Sequence, residues 1–178
     1  GCLTRGPPVP LVRHSSKRKS GGRARHRTDT KDPVLRSRPM KGVVLAGGLG
    51  SRLFPLTKVT NKHLLPVFDR PMIYYPLECL RNAGVRDVML VTGGTSAGDF
   101  MRLLGDGRSI GLNSISYAYQ EGERGIADAL RLAAPFAGSD SIAVVLGDNI
   151  IEGNVAAAAD AFRKQGGGAR ILLKGVPD

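Results

Sequence analysis

Residues 43–53, VVLAGGLGSRL, press an apolar run against three glycines in four positions and then an arginine. The segment KGVVLA (41–46) that leads into them is short, rich in valine and bounded by glycine, as a strand buried on both faces should be. Runs of the same kind recur as DVMLVT (87–92), SISYAY (114–119), IAVVLG (142–147) and ARILLKG (169–175). Helical spacing fills the intervals at 71–83, 97–104, 126–134 and 155–165, the first opening on Pro71 and stopping at Gly84. Alternation of these lengths predicts an α/β fold: a mainly parallel sheet between two helical layers, an α/β/α sandwich of Rossmann-like type. Crossovers in such a sheet are right-handed, and ligands bind outside the carboxyl ends of the strands near a topological switch point. The glycines after Ala46 and the residues after Leu146 occupy such ends.

Charge divides the chain. The whole 178 residues carry a net +11, but residues 1–39 hold 11 Lys/Arg against 2 Asp/Glu, whereas the remainder holds 15 against 13. The basicity therefore belongs to a segment rich in Pro, Gly, Ser and Arg, without aromatic residues or apolar periodicity, which predicts disorder. Residues 40–178 then form one folded domain. No segment has the apolar core of a secretory signal or the length of a membrane span, so no membrane partner is expected. Cys2 and Cys79 make neither a disulfide framework nor a metal-ligand spacing, and a cytoplasmic setting is expected.

Two phosphate motifs fail on residue identity. A P-loop needs Gly-Lys-Ser/Thr, yet Gly47 is followed by Gly48 and Leu49; the dinucleotide fingerprint would reach its sixth position at Leu53. What remains is a strand ending in Gly47, Gly48 and Gly50, followed by Ser51, Arg52 and, ten residues beyond, Lys62. Bare glycine backbone admits a close ligand, and successive amides with a guanidinium make an anion cradle. A βα turn with a solvated arginine and a surface lysine fits the same residues.

Two further strand ends carry polar chemistry. Gln120 closes one and Gly125 opens the next helix; a glutamine amide offers one donor and one acceptor, matching a pyrimidine edge. Asp148, after VVLG, points into the crevice of the glycine loop, where Mg²⁺ needs only one or two carboxylates besides substrate phosphates. An aspartate there also serves as a helix cap or turn former. Tyr74 and Tyr75 read as packing and orienting residues, and His63 as structural.

LAGGLGSRLFPLT, NKHLLPV and RPMIYYPL, in this order, resemble the signature of the sugar-1-phosphate nucleotidyltransferases, nearest to the glucose-1-phosphate thymidylyltransferases, with the likeness running from Met40 onward. The resemblance implies that Leu45 and Gly47 lie against the nucleoside, with Gly50 and Arg52 around the triphosphate; Gly48, in the same glycine stretch, is also expected to bind the nucleotide. It implies Lys62 at the reaction centre, Gln120 and Gly125 on a thymine or uracil base, and Asp148 on Mg²⁺. Arg52 and Lys62 become the catalytic pair, dTTP and glucose 1-phosphate the substrates, and a homo-oligomer the expected assembly. In that family the sugar site and a second metal carboxylate lie in a later half, so the chain is expected to be C-terminally incomplete and weakly active or inactive alone.

Two rival functions remain open at this point. One is uridylyl or adenylyl transfer to a sugar 1-phosphate. The other is a non-catalytic nucleotide or polyanion module using the basic arm, whose lack of aromatics leaves only unspecific contacts, so nucleic acid is not the expected partner. The plainer expectation for the arm is that it lies upstream of the natural start, since the chain opens with Gly and the family pattern begins at Met40.

Overall fold

The computed structural model describes residues 39–48, 50–122, 124–165 and 167–175. Apart from Pro39, the basic segment 1–39 lies outside the described residues, and with it the expectation of disorder. The elements in chain order are β1 (Lys41–Ala46), β2 (Pro66–Val67), β3 (Arg70–Pro71), α1 (Tyr74–Asn82), β4 (Asp87–Gly93), α2 (Ala97–Leu104), β5 (Ser114–Gln120), α3 (Gly125–Ala137), β6 (Ile142–Leu146) and α4 (Ala156–Gln165).

Four strands make the main sheet in the order β5-β4-β1-β6. All its pairings are parallel, with Leu45 opposite Val91 on one side and Leu146 on the other. Alternation along β1 sends Val44 and Ala46 to one face, where Leu77 and Leu80 of α1 and Phe100 and Leu104 of α2 cover them. Val43 and Leu45 face the opposite way, against Ala129 and Ala133 of α3. Burial on both faces explains why β1 reads as a continuous apolar run, and the three layers match the sequence expectation.

The structure departs from the sequence reading at three places. Helix α1 begins at Tyr74 rather than residue 71, because Arg70 and Pro71 pair antiparallel with Val67 and Pro66. Helix α3 continues past Pro135 to Ala137. Residues 169–175 form no strand: Ile171 and Leu173 are 77% and 90% exposed. An apolar run becomes a strand only along an edge that satisfies its backbone N–H and C=O groups, and among the described residues this one pairs with none.

Candidate active site

The chain builds β1, β4 and β5 outward in one direction and then crosses back to lay β6 on the other side of β1. The strand order therefore reverses between β1 and β6, and their carboxyl ends flank the switch-point crevice. Into it β1 delivers Gly47 and Gly48, and β6 delivers Gly147 and Asp148.

A single turn of 3-10 helix, Lys62–Leu64, bridges the two strand ends. Asn61 caps it: its Oδ1 accepts from the His63 backbone N–H at 3.0 Å and lies 2.6 Å from His63 Nδ1, while its Nδ2 donates to Ala46 O at 3.5 Å. The amide oxygen can only accept, so Nδ1 of His63 carries the proton and Nε2 is bare. Burial, then the neighbouring Lys62 charge, lower the His63 pKa to about 4 against the opposing pull of Asp148, so the ring stays neutral at pH 7. His63 lies directly under Gly147, where a Cβ would sit 2.7 Å from His63 Cδ2 and 3.0 Å from Leu45 O. No residue but glycine fits there without displacement. With Asn61 on Ala46 O and the His63 ring under Gly147, this turn touches the ends of both β1 and β6.

Lys62, held by that turn, places Nζ 2.7 Å from Asp148 Oδ2. For Asp148, burial raises the pKa, and the hydrogen bond and charge of Lys62 outweigh it, leaving the carboxyl below its usual range. The glycine loop closes on the same lysine. A Cβ on Gly48 would lie 3.7 Å from Lys62 Nζ, and one on Gly50, whose φ is +67°, would lie 2.9 Å from Lys62 Cβ. Arg52 sits in the exposed turn Ser51–Leu53 and makes no hydrogen bond or ion pair with the described residues. Gly50, two residues earlier, packs on Lys62, but the Arg52 guanidinium is not engaged with the Lys62 and Asp148 pair.

Beside the pair opens a cavity of about 280 Å³, lined by Leu45, Gly47, Gly48, Gln120, Gly125 and Ile126, with Ala129 at its base. Five anticipated residues therefore share one wall. Gln120, 6% exposed, donates from Nε2 to Gly125 O at 3.1 Å and to Asp128 Oδ2 at 3.2 Å. Its donor side is engaged within the protein, contrary to the expectation that both sides of the amide serve a ligand. Sequence reasoning missed Asp128 and Asn61. An acidic residue in the first turn of a helix that follows a glycine was the available signal for Asp128. Tyr75 donates to Val67 O at 2.7 Å, fastening the short β2–β3 hairpin, in keeping with an orienting role.

A three-layer sandwich whose parallel sheet brings a glycine loop, a lysine and an aspartate together at its switch point defines a doubly wound α/β protein, and the family comparison agrees. Residues 41–178 match the Nucleotidyl transferase family, and the chain belongs to it. It is 50% identical over 131 residues to a glucose-1-phosphate thymidylyltransferase of Mycobacterium tuberculosis (strain ATCC 25618 / H37Rv), across 73% of this chain and 45% of the relative. The enzyme of the same name from Neisseria meningitidis serogroup A / serotype 4A (strain DSM 15465 / Z2491) is 51% identical over 114 residues, across 64% of this chain and 39% of that one. A Bacillus anthracis structure described as a glucose-1-phosphate thymidylyltransferase, in complex with a sucrose, superposes with a TM-score of 0.69 at 46% identity, covering 71% of this chain and 51% of that one. UDP-glucose pyrophosphorylase complexed with UDP-glucose, at 24% identity and a TM-score of 0.60 over 72% of this chain and 54% of that one, shares the fold. The chain spans less than half the length of the curated relatives it matches. Among the described residues no helix is long and apolar enough to cross a membrane.

Proposed function

We propose that this chain is the nucleotide-binding part of a glucose-1-phosphate thymidylyltransferase, an enzyme that joins dTTP and glucose 1-phosphate into dTDP-glucose and releases pyrophosphate. The observation that carries the reading is the Lys62–Asp148 contact of 2.7 Å at the switch point, with bare Gly48 backbone on one side and the Gln120 cavity beyond it. In this reading the base enters the 280 Å³ cavity and the triphosphate runs over Gly47, Gly48 and Gly50 toward Lys62. Lys62 turns from Asp148 to the α-phosphate, offsetting the charge that develops as the sugar phosphate attacks. Arg52, exposed and unengaged, folds onto the departing pyrophosphate. A phosphate monoester is largely ionised at neutral pH, with a second pKa near ~6, so the residues need only align and neutralise, and no general base is required.

The residues also suit Mg²⁺. Asp148 already holds one cationic group, its side chain is 40% exposed, and it faces the proposed phosphate path. Among the described residues no cluster of three or more His, Cys, Asp or Glu comes together, so the other ligands would be phosphate oxygens and water, a coordination this ion favours. When bound, the ion supplies further neutralisation of phosphate charge. Soluble cytoplasmic residence and assembly as a homo-oligomer belong to the same proposal.

Thermal unfolding with and without nucleotide tests it, since a ligand of the folded state raises the midpoint. We expect dTTP with Mg²⁺ to raise the midpoint of the wild-type chain, and Lys62→Ala to lose most of that rise. No rise with any nucleoside triphosphate overturns the reading.

A further inference from the structure

We propose that Asp128 is a positioning residue that fixes which way the Gln120 amide faces, so that the cavity presents a hydrogen-bond acceptor and selects a base carrying an N–H at the ring position between two carbonyls. The inference rests on the nucleotide-binding reading above and deepens it to the chemistry of the base. The orientation of a glutamine amide follows from its neighbours. Here both neighbours of Nε2 are acceptors, the Gly125 carbonyl at 3.1 Å and the Asp128 carboxylate at 3.2 Å. Neither has a proton to give: a backbone carbonyl never does, and Asp128 is kept ionised by the guanidinium of Arg131, whose NH2 lies 2.9 Å from its other oxygen. Both amide hydrogens are thus engaged and the amide cannot turn over without opposing oxygen to oxygen.

The consequence falls on Oε1. It accepts no hydrogen bond from the described residues and faces Gly47, where a Cβ would lie 3.1 Å away, on the wall of the cavity. Oε1 is an acceptor open to this cavity, and a bound base that covers it must offer a donor or leave it unmet. Uracil and thymine answer it with N3–H. Cytosine turns a lone pair to the same place, and adenine does so with N1. Asp128 does not reach the base itself; it acts through Gln120.

The probes are dUTP and dCTP, which differ only at the edge in question, each titrated with Mg²⁺ by calorimetry against the 178-residue chain. We expect the wild type to bind dUTP at least about tenfold tighter than dCTP, the ratio set by one mismatched buried hydrogen bond. In Asp128→Asn the guanidinium of Arg131 takes the new amide oxygen, which turns the NH₂ toward Gln120 and favours the reversed amide, so the ratio falls toward unity. In Asp128→Ala the Gly125 carbonyl still holds one amide hydrogen, and the ratio falls less. That order is the distinguishing readout, because a merely structural residue suffers more from the larger truncation. A ratio unchanged in both variants, an equal weakening of both nucleotides, or a greater loss of selectivity in Asp128→Ala overturns the inference while leaving the nucleotide site standing. Failure of the wild type to bind either nucleotide overturns both.

Discussion

The ammonium of Lys62 and the carboxylate of Asp148 meet at 2.7 Å although 86 positions separate them in the chain. The contact lets each residue report on the other. Burial drives the Asp148 carboxyl upward and Lys62 holds it below its usual range, so Lys62→Met should raise its pKa. Carboxyl ¹³C titration by NMR measures the midpoint, and an unmoved one would show that the pair does not form in solution. Because the folded-state pKa is depressed, the pair stabilises the fold above the unfolded carboxylate pKa and ceases to do so as pH falls through the folded value. With the Asp148 side chain 40% exposed, that contribution should stay below about 1 kcal/mol.

Asp148 should also govern the response to metal. In the wild type, protection by dTTP should grow with Mg²⁺ concentration; in Asp148→Asn it should become nearly insensitive to Mg²⁺, since the one carboxylate proposed to hold the ion is gone. Thermal unfolding across a Mg²⁺ series separates the two proteins, and equal sensitivity in both would remove Asp148 from the proposed metal site.

His63 should make the fold acid-sensitive. Its pKa is about 4 in the folded state against an ordinary 6.5, so the unfolded chain binds the extra proton between these values and stability falls as pH drops from about 6.5 to 4. The loss from this group is on the order of 3 kcal/mol by pH 4, with full stability regained above the unfolded value. Urea unfolding at pH 7 and pH 4.5 measures it. His63→Gln should flatten the slope over this window, and a slope equal to wild type would show that another group sets it.

Glycine positions offer a contrasting pair. Gly147→Ala forces a methyl to within 2.7 Å of the His63 ring and should cost about 1–3 kcal/mol. Gly98, within α2, has nothing within 4 Å of where its Cβ would be, and Gly98→Ala should stabilise by about 0.5–1 kcal/mol. Denaturant midpoints of the two variants should move in opposite directions.

What could be seen beforehand follows from the range of the interactions. β1, β4, β5 and β6 are legible to within a residue or so: β1 is buried on both faces and leaves the uninterrupted apolar run KGVVLA, and β6 keeps the run IAVVL although Val144 is exposed. The glycine loop and Asp148 are legible because both sit where such runs stop. The β2–β3 pairing was not, since two-residue strands rich in proline leave no period to read. Residues 169–175 misled for the opposite reason: ARILLKG has the composition of a strand, but composition does not supply a neighbour to pair with. The Asn61–His63 clasp and the Asp128–Gln120 contact were beyond the local pattern, as each depends on which polar atoms the fold turns toward one another.

β6 is the outermost strand of its sheet, and its Val144 is 40% exposed. Its outer backbone groups, unpaired among the described residues, form a template along which another strand would run at a spacing of about 4.8 Å. Asp148 lies two residues beyond that strand, so a segment docking there would bring its own side chains to the rim of the proposed phosphate path.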